Sequence, residues 1–321
     1  MAVTRTTVVA GPAIVQFASY NFYSEGDITV TLASQTDDVM TSVYGKVDER
    51  IVDRSAIISF VPTEIEEASL PILWPYGSTT PGTSIFTTDA PLVIYTLAGK
   101  TITFTSAAVT KLPSLRLAAS GTMLGAIEFT AIGKDNAEWS DAASIGTVAS
   151  LAWTDPATYT LTAIRNDVYT ASWAASGAWS SFTTEDGFSV DFNLSLKPIV
   201  TDAYGTIKML FSNLEVMVKC KPLGAGATPI AEAELLAGLG WQDTGAARGR
   251  SLNAFANNYD MTITGAASSG QTPKQKLTFT LKNASMKTAG MQFGREILRN
   301  GEVGWIATRE SGTGLYTVTL T

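Results

Sequence analysis

Hydrophobic and polar residues alternate along most of the chain, which is the pattern of β-strands with one buried face. The alternating runs are rich in β-branched and aromatic residues and are mostly bounded by Gly, Pro, Ser or Asp. They predict strands at residues 27–32, 55–62, 92–97, 100–105, 188–196, 214–220, 260–265, 276–281 and 315–320. The chain is therefore predicted to be mainly β and largely antiparallel.

Only two segments carry a helical pattern. The first spans residues 62–73, where Thr63 is a candidate N-cap and Glu66 follows three residues later, as in a capping box. The second spans residues 230–240, is rich in Ala, Glu and Leu, and ends in glycines. We predict one short helix in each half of the chain.

The pattern occurs twice along the chain. TSVYGKVDERIVDRSAIISFVP begins at Thr41 and TDAYGTIKMLFSNLEVMVKCKP begins at Thr201, and both copies place a Tyr-Gly pair and a later proline at matching positions. Beyond the helices the alignment drifts slightly, and there we pair Met123 with Met286, Phe129 with Phe293 and Trp139 with Trp305. A long ordered repeat indicates a duplicated domain. We predict copy 1 over residues 1–145, a connector over 146–164 and copy 2 over 165–321.

Composition narrows the class of protein. A chain of 321 residues with 45% hydrophobic content can bury the core of one large β domain or two ordinary ones. The net charge of -7 and the lack of a basic cluster argue against a surface that grips nucleic acid. No segment approaches the roughly 20 continuous apolar residues of a membrane span. The apolar run at the N-terminus is short and is interrupted by Gly11-Pro12, so it does not fit the pattern of a signal peptide. We expect a soluble protein of a cytoplasm, or of an assembly built there.

Enzymatic chemistry has little support in the sequence. The chain has no histidine, which removes Ser-His-Asp and Cys-His arrangements, and its single cysteine, Cys220, leaves a zinc site one sulfur ligand. Cys220 lies in an alternating strand, and we interpret it as an inert core residue. Acidic pairs occur at 37–38, 48–49 and 66–67, and we interpret them as solvated turn and helix residues. We predict no catalytic site, no cofactor and no metal.

Two groups of residues are candidates for contacts. Four aromatic residues could form a sugar-stacking platform, although a role in the core or a subunit interface is favoured: Trp74, Tyr76, Trp241 and Trp305. The segment after the first Tyr-Gly pair, KVDERIVDR, is highly charged, whereas the corresponding TIKMLFSNL carries one charge. An exposed Met-Leu-Phe tip would be an unusual apolar patch on a monomer, so we expect it to be buried against another subunit or its own core.

Several segments resemble the major tail tube proteins of long-tailed bacteriophages and prophages. In the first copy these are GPAIVQF, NFYSEGDITVTL, YGKVDERIVDRSAIISFVP and LPILWPYG. In the second copy they are TTEDGFSV, AARGRSLNA, NASMKTAGMQFG and GEVGWIATR. The resemblance covers nearly the whole chain and rests on the order of these segments, since none of them is a catalytic motif.

This resemblance implies two tandem tail tube domains, each a β-sandwich or barrel-like unit with one short α-helix. In this family the inner sheets of neighbouring domains join in a ring, normally of six domains, and the rings stack into a hollow tube through which the genome leaves. Many members have one domain and form true hexamers. A chain with two domains would close a pseudo-sixfold ring with three subunits, and such a ring would explain the duplication.

The implied partners are further copies of this chain, the tape measure protein and the proteins at the end of the tail, with no membrane. DNA would pass through the lumen without specific binding, which fits an acidic protein because a basic wall would hold phosphate. The implied location is the virion tail, assembled in the host cytoplasm.

Residues 35–54 and 195–213 lie where the family places extended hairpin loops that bridge stacked rings. On this resemblance we predict contacts between rings or subunits at Asp48, Glu49, Arg50, Asp53 and Arg54. Met209, Leu210 and Phe211 would supply an apolar contact from the other copy. The alternative interpretation is a β-rich phage receptor-binding or baseplate module that recognises a cell-surface glycan, which would have an aromatic and polar site in one copy and no self-assembly.

Overall fold

A computed structural model of the chain describes residues 13–63, 65–88, 90–96, 99–118, 121–132, 143–147, 166–174, 177–201, 205–224, 228–241, 259–267, 276–293, 298–308 and 314–320. Within these residues the chain is mainly β, as predicted, with two large antiparallel sheets and two short α-helices. Neither helix of the described part is long and apolar enough to cross a membrane.

The elements of the first half run from Ala13 to Thr147. The strands are β1 (Ala13–Phe17), β2 (Tyr20–Phe22), β3 (Thr29–Thr41), β4 (Gly45–Phe60), β5 (Ala90–Thr96), β6 (Lys100–Lys111), β7 (Leu115–Ala118), β8 (Gly121–Leu124), β9 (Ile127–Ile132) and β10 (Ala143–Thr147). Helix α1 (Leu70–Leu73) lies between β4 and β5 and is followed by a 3₁₀ helix (Ile85–Thr88).

The elements of the second half run from Asn166 to Leu320. The strands are β11 (Asn166–Ser172), β12 (Thr183–Thr201), β13 (Gly205–Leu223), β14 (Tyr259–Ala267), β15 (Leu277–Phe293), β16 (Leu298–Ala307) and β17 (Tyr316–Leu320). Helix α2 (Glu232–Gly238) lies between β13 and β14, and a 3₁₀ helix (Ala178–Ser180) lies between β11 and β12.

The two sheets have the same strand order. The first runs β2-β1-β5-β6-β9-β4-β3, with β10 paired to β6. The second runs β11-β14-β15-β16-β13-β12, with β17 paired to β15, and then continues into β7 and β8 from the first half. Each strand of the second half therefore has a counterpart at the same place in the first, as a duplicated domain requires.

The long hairpins match in detail when Thr41 is aligned with Thr201. The β3–β4 ladder is interrupted after Gln35 and after Val39, and the β12–β13 ladder after Ser195 and after Ile199. A bulge costs ladder hydrogen bonds and re-aims the strand, so two bulges at equivalent positions indicate a common backbone design.

The pairing predicted beyond the helices is wrong. Ile58 on β4 faces Phe129 on β9, and its counterpart Val218 on β13 faces Trp305 on β16. Phe129 therefore corresponds to Trp305 and not to Phe293. The connections between α2 and β14 and between β14 and β15 are both longer than their counterparts in the first half, and together they move the register of the strands that follow. Trp139, the predicted counterpart of Trp305, lies outside the described residues.

Aromatic rings occupy corresponding places in the two cores. Phe129 is fully buried with ring centroids 4.8 Å from Phe17 and 6.0 Å from Phe60. In the second copy Trp305 is fully buried with ring centroids 5.6 Å from Trp179 and 5.9 Å from Trp173. Such clusters add specific edge and stacking contacts to the burial of large apolar surfaces.

The sequence predicts the second helix better than the first. Helix α2 occupies seven residues inside the predicted range, whereas α1 is a single turn at the end of its range. Thr63 does not cap α1, because its amide pairs with the Tyr23 carbonyl at 3.0 Å and residue 62 already bridges to Ser24. The strand contacts thus hold the first part of this segment in an extended form.

Most of the connector predicted at residues 146–164 lies outside the described residues, and its first two residues belong to β10. One hairpin of copy 1 also crosses into the sheet of copy 2, which the predicted domain boundaries do not include. The β7–β8 hairpin belongs to copy 1 in sequence and to the second sheet in structure.

Candidate assembly interface

Two long hairpins project from the sheets, and we call their outer parts the first arm (residues 32–54) and the second arm (residues 192–214). Side chains of the first arm are exposed almost without exception up to residue 51. The predicted hairpin loops are in fact antiparallel ladders that continue as far as the pairs Thr41–Gly45 and Thr201–Gly205. A two-stranded ribbon as exposed as the first arm buries too little apolar surface to stabilise itself, so it is suited to packing against something else.

Charged residues of the first arm face one another across the β3–β4 ladder. Lys46 Nζ donates to Asp38 Oδ1 at 2.6 Å and also contacts the Glu49 carboxylate. Arg50 Nη2 lies 3.8 Å from Asp37 Oδ2. The Asp38 and Glu49 carboxylates raise the pKa of Lys46 by accepting its hydrogen bonds. Exposed ion pairs of this kind contribute little to stability.

Asp53 lies at the base of the first arm and contacts the second arm. Its Oδ1 accepts the Thr206 backbone N–H at 3.0 Å, and its Oδ2 accepts the Thr206 hydroxyl at 2.7 Å. Thr206 is buried, whereas the neighbouring Arg54 is exposed. The Asp53 carboxylate thus joins the two arms of one chain, and the predicted roles of Asp48, Glu49, Arg50 and Arg54 between rings stay predictions.

The apolar triplet of the second arm is covered by the first copy of the same chain. Phe211 is buried, and its ring centroid lies 5.9 Å from that of Tyr76. Its backbone N–H donates to the Thr83 carbonyl at 2.8 Å, and its carbonyl accepts the Gly82 N–H at 2.8 Å. Met209 and Leu210 are half-buried. For Phe211 the expected burial is therefore confirmed, and the covering surface is the chain's own first copy. The predicted contact of Met209, Leu210 and Phe211 with other rings or subunits stays a prediction.

A second line of contact joins the copies through β-sheet pairing. Strand β7 runs antiparallel along the outer edge of β12 and places Leu115, Arg116 and Leu117 opposite Val190, Ser189 and Phe188. The approach is close, because a Cβ built on Gly187 would lie 2.5 Å from the Leu117 carbonyl oxygen. We call the whole contact, formed by β7 and residues 74–84 on one side and by β12 and the second arm on the other, the seam.

Aromatic side chains after α1 complete the seam. The Trp74 ring lies 6.2 Å from that of Phe192, and the indole N–H of Trp74 donates to the Pro113 carbonyl at 3.1 Å. Tyr316 of the second copy donates its hydroxyl to the Trp74 carbonyl at 3.1 Å. Trp74 and Tyr76 are therefore buried interface residues and not a sugar platform, and of the four aromatic candidates only Trp241 is exposed.

The structure gives the acidic pairs two different settings. The acids at 37–38 and 48–49 lie on the exposed arm, where Asp37, Asp38 and Glu49 are engaged with basic side chains. A groove of about 750 Å³ runs beside the seam between α1 and β17, and Glu67 is the one acidic residue in its lining. No three metal-ligating side chains of the described part come together as a metal site.

Cys220 is the counterpart of Phe60 and is buried in the second sheet. Burial raises the pKa of its thiol, and the nearby Glu302 carboxylate raises it further. Because the thiolate is the reactive form, we expect no labelling of the native protein by a maleimide at about pH 8 and labelling of one thiol per chain after unfolding. Rapid labelling of the native protein would contradict the buried position.

Comparison with known proteins adds no family to this picture. No family model matches the chain, and no curated protein gives a significant match. The function of this chain is therefore inferred from the resemblance of the sequence segments and from the geometry of the arms and the seam.

Proposed function

We propose that this protein is the structural subunit of the tail tube of a long-tailed bacteriophage or prophage. Three copies, each with two similar domains, form a pseudo-sixfold ring, and the rings stack around a channel for genome delivery. The tape measure protein and the tail-end proteins are the expected partners, and DNA passes without specific binding. The location that follows is the virion tail.

The seam is the observation that carries this proposal. It joins two like domains through unlike surfaces, since the first copy contributes β7 and residues 74–84 while the second contributes an edge strand and an arm. Such a head-to-tail contact, if repeated between chains, produces a ring when the rotation closes and a helical filament when it does not. A chain that already contains one such contact is suited to be a repeating unit.

The arms support the stacking of rings. The first arm extends well beyond the buried part of its sheet, and it exposes several apolar side chains next to its charges, namely Val39, Met40, Val43, Tyr44 and Val47. Exposed apolar side chains grouped on one projection favour an interaction site over a solvated loop. An acidic chain, with a net charge of -7, also suits the wall of a channel through which DNA must slide.

Electron microscopy of the concentrated purified protein tests the proposal. We expect hollow rings or tubes whose end-on views have threefold symmetry and a wall that looks sixfold. Particles that remain dispersed at all concentrations, and that bind an immobilised glycan, would favour the receptor-binding alternative instead.

Reversing two charges of the first arm should separate stacking from folding. Arg50 and Arg54 are exposed, so we expect the Arg50→Glu/Arg54→Glu variant to keep the wild-type unfolding midpoint and to lose most tubes while retaining single rings. Lys111→Glu/Lys282→Glu is the matched control, because it changes the net charge equally at exposed ion pairs away from the arms. Tubes of normal length from the arm variant would show that these arginines do not serve stacking.

A further inference from the structure

The first copy carries the same docking surface that the second copy uses in the seam, and no described residue is docked on it. With Thr41 aligned to Thr201, Ile28, which directly precedes β3, and Thr29 and Val30 at its start are the counterparts of Phe188, Ser189 and Val190 on β12. In the second copy β7 pairs with these residues, whereas β3 is the last strand of its sheet among the described residues. Its outer edge thus presents backbone groups that a further strand could pair with.

Exposure of the apolar side chains supports this comparison. Leu32 is 72% exposed, whereas its counterpart Phe192 is 8% exposed beneath Trp74. Ile51 is 49% exposed, whereas its counterpart Phe211 is 1% exposed beneath Tyr76. Phe192 and Phe211 of the second copy are thus covered by the first copy. The corresponding positions of the first copy, Leu32 and Ile51, are also apolar but are exposed.

The space over this edge is also open. A Cβ on Gly187 would collide with β7, but a Cβ on Gly26, one position from the corresponding site, would have no atom within 4 Å. Nothing in the described part of the chain fills the place that β7 occupies in the seam.

The second copy contains the matching donor. The first part of β15 corresponds to β6, because the β6–β9 and β15–β16 ladders share a bulge, after Val109 and after Met286. Farther along, Met291 faces Asn300 as Leu115 faces Leu124. The Met291–Phe293 backbone is therefore the counterpart of the part of β7 that docks on β12.

An exposed aromatic residue follows the second helix as Trp74 follows the first. Trp241 lies three residues after the end of α2 and is 77% exposed. An indole with so much apolar surface in water is suited to an interface, and Leu32 on another copy is a matching apolar partner.

We propose that a second copy of this chain docks on the outer edge of β3 by adding the end of its β15, in the register Val30 to Met291, Thr29 to Gln292 and Ile28 to Phe293. Trp241 of the docked copy covers the region of Leu32. This inference rests on the proposed function, because repetition of the contact would close the proposed ring. The contact involves one strand edge and one register. The pairing is a strand addition in which backbone hydrogen bonds give affinity and side chains give specificity.

Cysteine pairs test the register directly. Directly opposed residues of antiparallel strands have Cα atoms about 4.5–5.5 Å apart, which disulfides tolerate. In a Cys220→Ala background, we expect Thr29→Cys/Gln292→Cys to convert most of the concentrated protein into covalent oligomers on mild oxidation. Arg116→Cys/Ser189→Cys is the intrachain control, because these residues face each other across the seam, and it should oxidise without changing the oligomer size.

A pair moved along the strand to the next residue on the same face, Thr31→Cys/Gln292→Cys, fixes the register and should crosslink at least tenfold more slowly. Equal rates for the two intermolecular pairs, or no intermolecular product while the seam control oxidises fully, would overturn the proposed docking. Threefold tubes without the Thr29–Gln292 crosslink would leave the proposed function standing and reject this interface. Conversely, a covalent ladder that continues beyond three chains would support the docking and reject the ring of three.

Discussion

Replacing Trp305 with Ala is expected to lower the free energy of unfolding of the second copy by about 3–5 kcal/mol. The side chain is fully buried and is the common neighbour of Trp173, Trp179 and Phe182, with ring centroids 5.6–5.9 Å away. Its removal leaves a cavity among rigid rings that cannot collapse into it. Urea unfolding followed by tryptophan fluorescence would measure the loss.

Trp305→Phe provides the matched comparison and should cost clearly less than Trp305→Ala, about 1–2 kcal/mol, because it removes only part of the buried ring system. Phe129 occupies the corresponding position in the first copy, so a phenyl ring fits this backbone design. The Trp305 indole N–H also has no hydrogen-bond partner among the described residues, so the substitution removes a buried donor that gains nothing from the fold. A loss as large as that of Trp305→Ala would show that the two cores are not equivalent.

The sequence predicts those parts of the fold that alternate in hydrophobicity. Residues 188–196 and 214–220 are predicted as strands because one face is buried, and both lie inside longer strands. The outer part of β3, ASQTDDVMT, is not predicted because both of its faces are exposed and no alternation is required there. A strand stabilised by its hairpin partner alone has no periodic hydrophobic pattern.

The candidate interface is predicted less completely, for a physical reason. The burial of Phe211 follows from the cost of exposing apolar surface, which the local run Met209-Leu210-Phe211 reveals in the sequence. The contact of Asp53 with Thr206 joins residues far apart in sequence, and an acidic residue in a charged run gives no local sign of it. The crossing of β7 into the second sheet depends on the relative placement of the two copies, which a strand pattern does not encode.

Adding one methyl group at Gly187 should weaken the seam. Gly187 has φ +91°, and an added Cβ would lie 2.5 Å from the Leu117 carbonyl oxygen and 2.8 Å from the Ala118 Cβ. Gly45 at the end of the first arm also has a positive φ, +68°, with nothing within 4 Å of an added Cβ, and it lies outside the seam, so Gly45→Ala measures the backbone strain alone, about 1–3 kcal/mol. We expect Gly187→Ala to cost about 1–3 kcal/mol more, the usual penalty of overpacking.

Hydrogen exchange would show where that extra cost falls. Because β7 must move away from β12 to accept the methyl group, amides of β7 and β8 should exchange faster in Gly187→Ala, while those of β14 and β15 keep their protection. Equal stabilities of the two alanine variants would mean that the close approach is not required for the seam. If contacts between chains repeat the geometry of the seam, a variant that opens the seam should also assemble poorly. In such a variant the second copy is displaced, so the end of its β15 would meet the next chain at an angle that does not close a ring.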